Sequence, residues 1–262
     1  MTTQPWPYPF WIAHRGAGQL APENTLSAFK LGASYGYRMF ECDVKLSADG
    51  VPFLMHDTTL TRTTNAAQVL GENVSTVGGD HAWSVLARLD AGAWHSAAHH
   101  GEPLALLEDI ARYCLKHQLA VNLEIKPTPG AEHHTGEVVA RISQRLWQDS
   151  NPHLAPPPLL SSFEPASLQA AKAAVPQLPR ALLLDELWTG WQEVAHGLDL
   201  AALVLRHTLW DETLVQLARS AGWRCLSYTV NTIEDVNRLR KLGTDGIITD
   251  RVDLFPPELS PN

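Results

Sequence analysis

The sequence predicts an α/β fold, and within that class a TIM barrel, or (β/α)8 barrel, that forms a single domain over residues 1–262. Short apolar segments alternate with amphipathic segments along the whole chain, in about eight β-then-α units. The apolar segments are apolar on both faces, which is typical of parallel strands covered by helices. This count favours a closed barrel over an open doubly wound sheet, and barrels of about 250 residues form one domain.

Each predicted element follows from the spacing of its apolar residues. The predicted strands cover residues 10–13, 39–44, 52–55, 120–125, 158–162, 180–184, 202–205, 224–230 and 246–249. The predicted helices cover residues 24–35, 104–117, 136–148, 166–174, 191–197, 212–221 and 233–242. We expect 52–55 to be an extra hairpin piece outside the eight units. Asn24 or Thr25 is a plausible N-cap for the first helix.

Two segments interrupt the alternation of strands and helices. Residues 71–101 are rich in glycine and histidine, and we expect them to form a small insertion after the second strand region. Residues 149–158 contain several prolines and are predicted to be a surface connection. Neither segment indicates a domain boundary, so the barrel core is expected to cover residues 9–255.

The composition excludes several classes of protein. There are 20 Lys and Arg against 28 Asp and Glu, and this net charge of −8 argues against a nucleic-acid-binding surface. The three cysteines lack the spacing of a disulfide scaffold or a structural zinc site. The N-terminal residues lack the pattern of a secretory signal, and no apolar run is long enough to span a bilayer. We therefore expect a cytoplasmic protein without stable membrane association.

Acidic residues at two predicted strand ends suggest a metal site. Glu41 and Asp43 are two residues apart on one strand, so both side chains point to the same face. Carboxylates crowded on a buried face repel unless a proton or a cation lies between them. Glu124, at another strand end, adds a third carboxylate, and three such groups suit Mg²⁺ or Ca²⁺. The alternative is an isolated ion pair between Glu124 and Lys126, which share a face.

Other polar residues lie at strand ends and helix starts. His14 follows the first predicted strand and His56 follows the third. A lone histidine there is usually structural, but two of them near an acidic pair favour a functional role. We interpret Glu23 as an ordinary acid beside a helix start, and Asp245 and Asp250 as turn and cap residues.

These residues belong to a series of motifs: His14-Arg15-Gly16, Pro22-Glu23-Asn24-Thr25, Glu41-x-Asp43-Val44, Asp49-Gly50, His56-Asp57, Leu60-x-Arg62-Thr63-Thr64 and Glu124-Ile125-Lys126. In this order they resemble the motifs of the glycerophosphodiester phosphodiesterase family, whose fold is a TIM barrel. The likeness extends over roughly residues 9–255. Any one motif alone would be weak, but the ordered set is specific.

The resemblance implies a role for each site residue. It makes His14 and His56 an acid–base pair, and Arg15 and Lys126 residues that approach the phosphate. Tyr228 stands where the family commonly has Trp, and we expect it to contact the alcohol portion of the substrate. The ligands of one divalent metal ion, Mg²⁺ or Ca²⁺, correspond to Glu41, Asp43 and Glu124.

The implied function is metal-dependent hydrolysis of a small glycerophosphodiester to glycerol 3-phosphate and an alcohol such as choline or ethanolamine. We favour His14 as the base and His56 as the acid, although the sequence leaves their order open. The nucleophile is either water or the substrate's own 2-hydroxyl, acting through a cyclic phosphate. No nucleic-acid partner is expected, and a homodimer is the oligomeric state left open.

Two alternatives remain at this point. A phospholipase D-like or lysophospholipase D-like barrel would act on membrane lipids, but the insertion offers only Trp83 and Trp94 for docking to a membrane. A non-catalytic phosphate-binding barrel would tolerate loss of the histidines or the acidic residues, and all of them are present.

Overall fold

Eight parallel strands form a closed ring with helices outside it, in a computed structural model that describes residues 6–71, 73–148 and 155–257. In chain order the strands are β1 (Trp11–Ala13), β2 (Met39–Leu46), β3 (Pro52–Leu54), β4 (Ala120–Ile125), β5 (Leu159–Ser162), β6 (Arg180–Leu184), β7 (Ala202–Arg206), β8 (Arg224–Tyr228) and β9 (Gly246–Thr249). β1 pairs with both β2 and β9, which closes the ring, whereas β3 lies antiparallel to β2 outside it. The predicted TIM barrel is confirmed.

The helices follow the strands nearly as the sequence predicts. They are α1 (Leu26–Ser34), α2 (Ala66–Val69), α3 (Trp83–Leu86), α4 (Leu107–His117), α5 (Glu132–Trp147), α6 (Pro165–Ala174), α7 (Trp191–Leu198), α8 (Glu212–Ser220) and α9 (Ile233–Leu242). The N-cap of α1 is Thr25, whose hydroxyl accepts the N–H of Ala28 at 3.2 Å. α4 begins later than predicted because the Leu54 N–H donates to the Ala105 carbonyl, which keeps this segment extended.

Side-chain alternation along the strands separates two apolar layers. Ile12 and Met39 belong to a cluster inside the barrel, whereas Phe40 packs in the layer between the strands and the helices. Since alternate residues share a face, Glu41 and Asp43 point inward with Met39. The packing therefore places two carboxylates inside the barrel.

The described residues between β3 and α4, which include most of the segment 71–101 where the sequence predicts an insertion, form a small cap with its own core. Its buried side chains come from β3, from the short helices α2 and α3, and from the loops between them, namely Phe53, Met55, Leu60, Ala66, Leu86, Leu89, Ala91 and Leu104. Asp90 stabilises the loop because its carboxylate accepts the N–H groups of Gly92, Ala93 and Gly101. Trp94 and His95 of this cap line a cleft with residues that follow β1, and His95 Nε2 lies 3.1 Å from the Gln19 carbonyl oxygen.

Parts of three predictions fall on residues that the structure does not describe: the N-terminal residues 1–5, residue 72 of the predicted insertion, and residues 149–154 of the proline-rich connection. Within the described ranges, no helix is both long and apolar enough to cross a bilayer.

A glycine inside α5 allows close packing against α6. A Cβ at Gly136 would lie 2.1 Å from the Ser167 carbonyl oxygen, so Gly136→Ala must push the helices apart. We predict a loss of about 1–3 kcal/mol in the free energy of unfolding, measured by urea denaturation. The matched control is Gly197→Ala in α7, where a Cβ meets nothing within 4 Å and the change should be neutral or stabilising. Equal stability of the two variants would contradict this packing argument.

Candidate active site

Three buried acidic side chains meet at the carboxyl-terminal mouth of the barrel. Glu41 and Asp43 lie on β2, Glu124 lies on the adjacent β4, and Asp43 and Glu124 are direct partners in the parallel register. One oxygen from each of the three carboxylates lies within 4.8 Å of the others. Three negative charges this close in a buried position repel strongly unless they are neutralised.

The three carboxyl groups respond differently to this crowding. Burial and the neighbouring charge of Asp43 raise the pKa of Glu124 from 4.5 to about 7. Burial, Asp43 and Glu124 also raise the pKa of Glu41 well above its usual value. Burial acts in the same direction on Asp43, but Arg15 and Lys126 help to outweigh it and lower the pKa of Asp43 to about 2. A proton or a bound cation would therefore relieve the repulsion at Glu41 and Glu124.

The donor set fits a divalent cation. Among the described residues, the buried Oε1 of Glu41 has no hydrogen-bond partner, whereas its Oε2 accepts the Arg15 N–H at 3.1 Å. Asn24 fixes Asp43 from two sides, because its Nδ2 donates to Asp43 Oδ2 at 2.8 Å and its Oδ1 accepts the Asp43 N–H at 3.0 Å. Carboxylate oxygens are the ligands that Mg²⁺ and Ca²⁺ prefer. Glu41, Asp43 and Glu124 are thus the residues that could hold such an ion.

His14 lies beside this cluster and is held by Asp250. Its Nδ1 is 2.6 Å from Asp250 Oδ1, and its Nε2 is 3.8 Å from Glu41 Oε2. Asp250 also accepts Asn231 Nδ2 at 2.9 Å, and these bonds help to lower its pKa against the opposing effect of burial. Because an ionised carboxylate only accepts, Nδ1 carries the proton and Nε2 faces the site.

The interpretation of Asp250 as a turn or cap residue missed this contact. Asp250 follows β9, and β9 is the ring neighbour of β1, which His14 follows. The signal in the sequence was the position of Asp250 at a strand end, since residues at the carboxyl ends of barrel strands share one mouth. Asp245 fits the structural interpretation, because it accepts the Cys225 N–H and the Arg224 guanidinium.

His56 lies on the other side of the acidic cluster, with an equivalent carboxylate partner. Its Nδ1 is 2.7 Å from Asp57 Oδ1, and Asp57 in turn accepts two hydrogen bonds from Arg62. Burial lowers the pKa of His56, although Asp43 and the bond to Asp57 oppose the effect. Both histidines therefore have Nδ1 held by a carboxylate.

Arg15 contacts three acidic residues from a strained turn after β1. Its backbone has a φ of +50°, an uncommon value for a residue with a side chain, and the turn directs its N–H to Glu41. Its Nη1 donates to Glu23 Oε1 at 2.9 Å, and its Nε lies 3.4 Å from Asp43 Oδ2. Glu23 is therefore more than an ordinary acid beside a helix start, because its carboxylate holds the guanidinium of Arg15.

Two lysines bring positive charge to the same mouth. Lys126 Nζ donates to Glu124 Oε1 at 2.6 Å and lies 3.6 Å from Asp43 Oδ1, so the pair of Lys126 and Glu124 is not isolated. Sequence reasoning did not single out Lys45, whose buried ammonium donates to the Lys126 carbonyl. Burial lowers the pKa of Lys45 to about 8. Its inward direction follows from its position two residues after Asp43 on β2.

Two clefts flank the carboxylate cluster. One of about 360 Å³ is lined by His56, Lys45, Lys126 and Phe163, and another of about 400 Å³ is lined by His14, Arg15, Arg62 and the exposed Trp94. The Tyr228 ring meets the Phe163 ring edge-on, with centroids 5.7 Å apart. A ligand with two substituents on a central group could therefore occupy both clefts, with one substituent in each.

A family model described as the glycerophosphoryl diester phosphodiesterase family matches residues 14–254. The chain belongs to this family. The match contains every residue that the sequence singled out at the barrel mouth. The predicted family is confirmed, and membership identifies the chain as an enzyme, a glycerophosphodiester phosphodiesterase.

Three similarities illustrate the match. The chain is 31% identical over 246 residues to a glycerophosphodiester phosphodiesterase of Caldanaerobacter subterraneus subsp. tengcongensis, covering 91% of this chain and 93% of that protein. An Oleispira antarctica phosphodiesterase, solved in complex with the product sn-glycerol-3-phosphate, has a TM-score of 0.82 and 30% identity, with 96% and 95% of the two chains covered. A mouse glycerophosphoinositol inositolphosphodiesterase is 52% identical over 88 residues, which are 34% of this chain and 16% of that protein.

Divalent cations should stabilise this family enzyme more at alkaline than at acidic pH. The folded protein holds the Glu124 proton up to a pKa of about 7, so the metal-free protein loses stability as pH rises from about 4.5 through 7. A bound cation replaces that proton, and we predict a larger rise in Tm with Mg²⁺ or Ca²⁺ near pH 8 than near pH 5.5. Scanning calorimetry measures this difference.

The control for this measurement is Glu124→Gln, which removes one predicted ligand and one titrating proton together. It should reduce the cation-induced rise in Tm and flatten its dependence on pH. An identical rise in both proteins, or at both pH values, would contradict a cation site at the three carboxylates.

Proposed function

We propose that the enzyme hydrolyses glycerophosphodiesters to glycerol 3-phosphate and an alcohol in a metal-dependent reaction. The observation that carries this proposal is the convergence of three carboxylates, two histidines and two cationic side chains at one barrel mouth. The Oleispira antarctica phosphodiesterase supports the choice of product, because it was solved with sn-glycerol-3-phosphate.

Glu41, Asp43 and Glu124 would hold one divalent ion, Mg²⁺ or Ca²⁺. When bound, this ion supplies positive charge that neutralises the phosphoryl oxygens of the substrate. Arg15 and Lys126 add two fixed charges at the same place, Arg15 as a planar fork and Lys126 as a point charge. Their existing contacts with Asp43 keep both groups turned toward the cluster.

In the proposed reaction, the two histidines move protons at their Nε2 atoms. His14 accepts the proton of the attacking hydroxyl as the new P–O bond forms. His56 donates a proton to the alcohol oxygen as the old P–O bond breaks, so the alcohol leaves neutral. Asp250 holds the Nδ1–H of neutral His14, so that its Nε2 is free to accept the proton, and Asp57 holds the Nδ1–H of His56, which enters the step protonated on both nitrogens and gives up the Nε2 proton.

The attacking hydroxyl belongs either to water or to the 2-hydroxyl of the substrate. Attack by the 2-hydroxyl gives a cyclic phosphate, which water then opens with the histidines in exchanged roles. Tyr228 and Phe163, in contact near the Lys126 ammonium, are placed to contact an organic arm of the substrate. The position of Tyr228 supports its predicted contact with the alcohol portion.

Glycerophosphocholine turnover tests the proposed function directly. We predict that glycerol 3-phosphate is released, that EDTA abolishes its release, and that added Mg²⁺ or Ca²⁺ restores it. Glu41→Gln should lower kcat by more than the roughly 10–100-fold that is typical for residues that only support a metal ligand. Glu137→Gln, at a partly exposed acid on α5 that pairs with Arg141, is the matched control and should keep full activity.

Unchanged turnover in EDTA would contradict the proposed metal dependence of the reaction. Phosphate binding without any turnover would instead support a non-catalytic barrel. A strong preference for lysophospholipid vesicles over the soluble diester would support a lipid-directed enzyme.

The leaving group distinguishes the acid from the base. A p-nitrophenyl ester of glycerol phosphate has a leaving group that departs without protonation, whereas choline needs a proton. We predict that His56→Ala lowers kcat by about 10²–10⁴-fold on glycerophosphocholine but much less on the p-nitrophenyl ester. His14→Ala should be slow on both substrates, and the exposed His133→Ala serves as a control. The reverse pattern for His14 and His56 would exchange their roles.

A further inference from the structure

Arg62 lies at the edge of the site and joins two carboxylates from different loops. Its Nε and Nη2 donate to Asp57 at 2.6 and 2.9 Å, and its Nη1 and Nη2 donate to Glu23 at 2.9 and 2.7 Å. Each carboxylate thus receives two hydrogen bonds from one planar group. This geometry fits a guanidinium, and the point charge of a lysine cannot reproduce it.

Each of these carboxylates holds one of the site residues on its other side. Asp57 Oδ1 is bonded to His56 Nδ1, and Glu23 Oε1 is bonded to Arg15 Nη1. A continuous chain of hydrogen bonds therefore runs from His56 through Asp57, Arg62 and Glu23 to Arg15. It connects the loop after β3 with the loop after β1.

We propose that Arg62 is a positioning residue: it fixes the side chains of His56 and Arg15 relative to each other, so that both can act on the same phosphodiester. The proposal rests on the proposed function, in which Arg15 binds the phosphate and His56 moves a proton at the leaving oxygen. Without the guanidinium, Asp57 and Glu23 would lose their shared cation. The His56 ring and the Arg15 fork could then shift independently of each other.

The exposure of Arg62 separates this role from a role in stability. Its side chain is 44% exposed, and exposed ion pairs contribute little to folding. Removal of Arg62 should therefore change Tm by less than about 4 °C. A displaced ring or fork would still slow the reaction, since small errors in alignment are costly in catalysis.

The first test compares Arg62→Gln with Arg112→Gln. Arg112 pairs with Glu108 and Asp109 on the exposed face of α4, so its variant loses the same charge away from the site. We expect Arg62→Gln to lower kcat/KM for glycerophosphocholine by about 10–100-fold, the usual cost of losing an orienting partner, and Arg112→Gln to leave it unchanged. Free guanidinium ion should partly restore Arg62→Ala, and Arg62→Lys should stay slow.

The second test is a double-mutant cycle with Asp57→Asn. If both residues act through His56, the double variant should be scarcely slower than the slower single variant. Losses that multiply would overturn the proposal. A rate for Arg62→Gln within about twofold of Arg112→Gln would also overturn it, and so would a large fall in Tm.

A readout without turnover keeps this proposal separate from the proposed function. The ¹⁵N chemical shifts of the neutral His56 ring report which nitrogen carries the proton. Asp57 favours the proton on Nδ1, and in Arg62→Gln we expect a mixture of the Nδ1–H and Nε2–H tautomers. If the wild-type enzyme releases no glycerol 3-phosphate, the proposed function fails. An unchanged His56 tautomer in the variant overturns the role of Arg62, whatever the rate.

Discussion

Repulsion among three buried carboxylates is the constraint around which this barrel mouth is arranged. Their oxygens lie within 4.8 Å of one another, and burial makes the charged forms costly. The surrounding groups each offset part of that cost: Asn24 bonds Asp43 twice, and the cations of Arg15 and Lys126 lie beside it. The remaining cost of burying negative charge falls on Glu41 and Glu124, whose pKa values are both raised.

The turn after β1 shows how the backbone serves that constraint. Arg15 has a left-handed backbone, and Gly18 is so close to β9 that an added Cβ would lie 2.1 Å from the Asp250 carbonyl oxygen. This close approach brings the Asp250 side chain to His14 and turns the Arg15 N–H to Glu41. The cost of the uncommon φ of Arg15 is therefore offset locally, because the same turn gives the buried Glu41 carboxylate a hydrogen bond and orients the His14 imidazole.

Local periodicity predicted the strands, the closed barrel and the shared face of Glu41 and Asp43, but it did not predict which side chains from distant strands and loops contact each other. Two-residue spacing on a strand was enough to place Glu41 beside Asp43. The contact of His14 with Asp250 joins residues 236 apart, and it exists because β9 returns to β1. The bridge from Glu23 to Arg62 likewise spans two loops, and no spacing rule relates their positions. Such contacts depend on the order of the strands in the barrel and on the paths of the loops, and neither can be predicted from the spacing of residues along the sequence.

The carboxylate partners of the two histidines differ in a way that supports the proposed order of proton transfer. Asp250 is bonded to His14 and to the neutral amide of Asn231, so its negative charge remains available to an imidazolium forming on His14. Asp57 shares its charge with the guanidinium of Arg62, and burial also lowers the pKa of His56. The partner of His14 thus keeps a negative charge beside the proposed base, whereas Arg62 offsets the charge of the partner of His56, and the lowered pKa of His56 favours release of its proton as an acid.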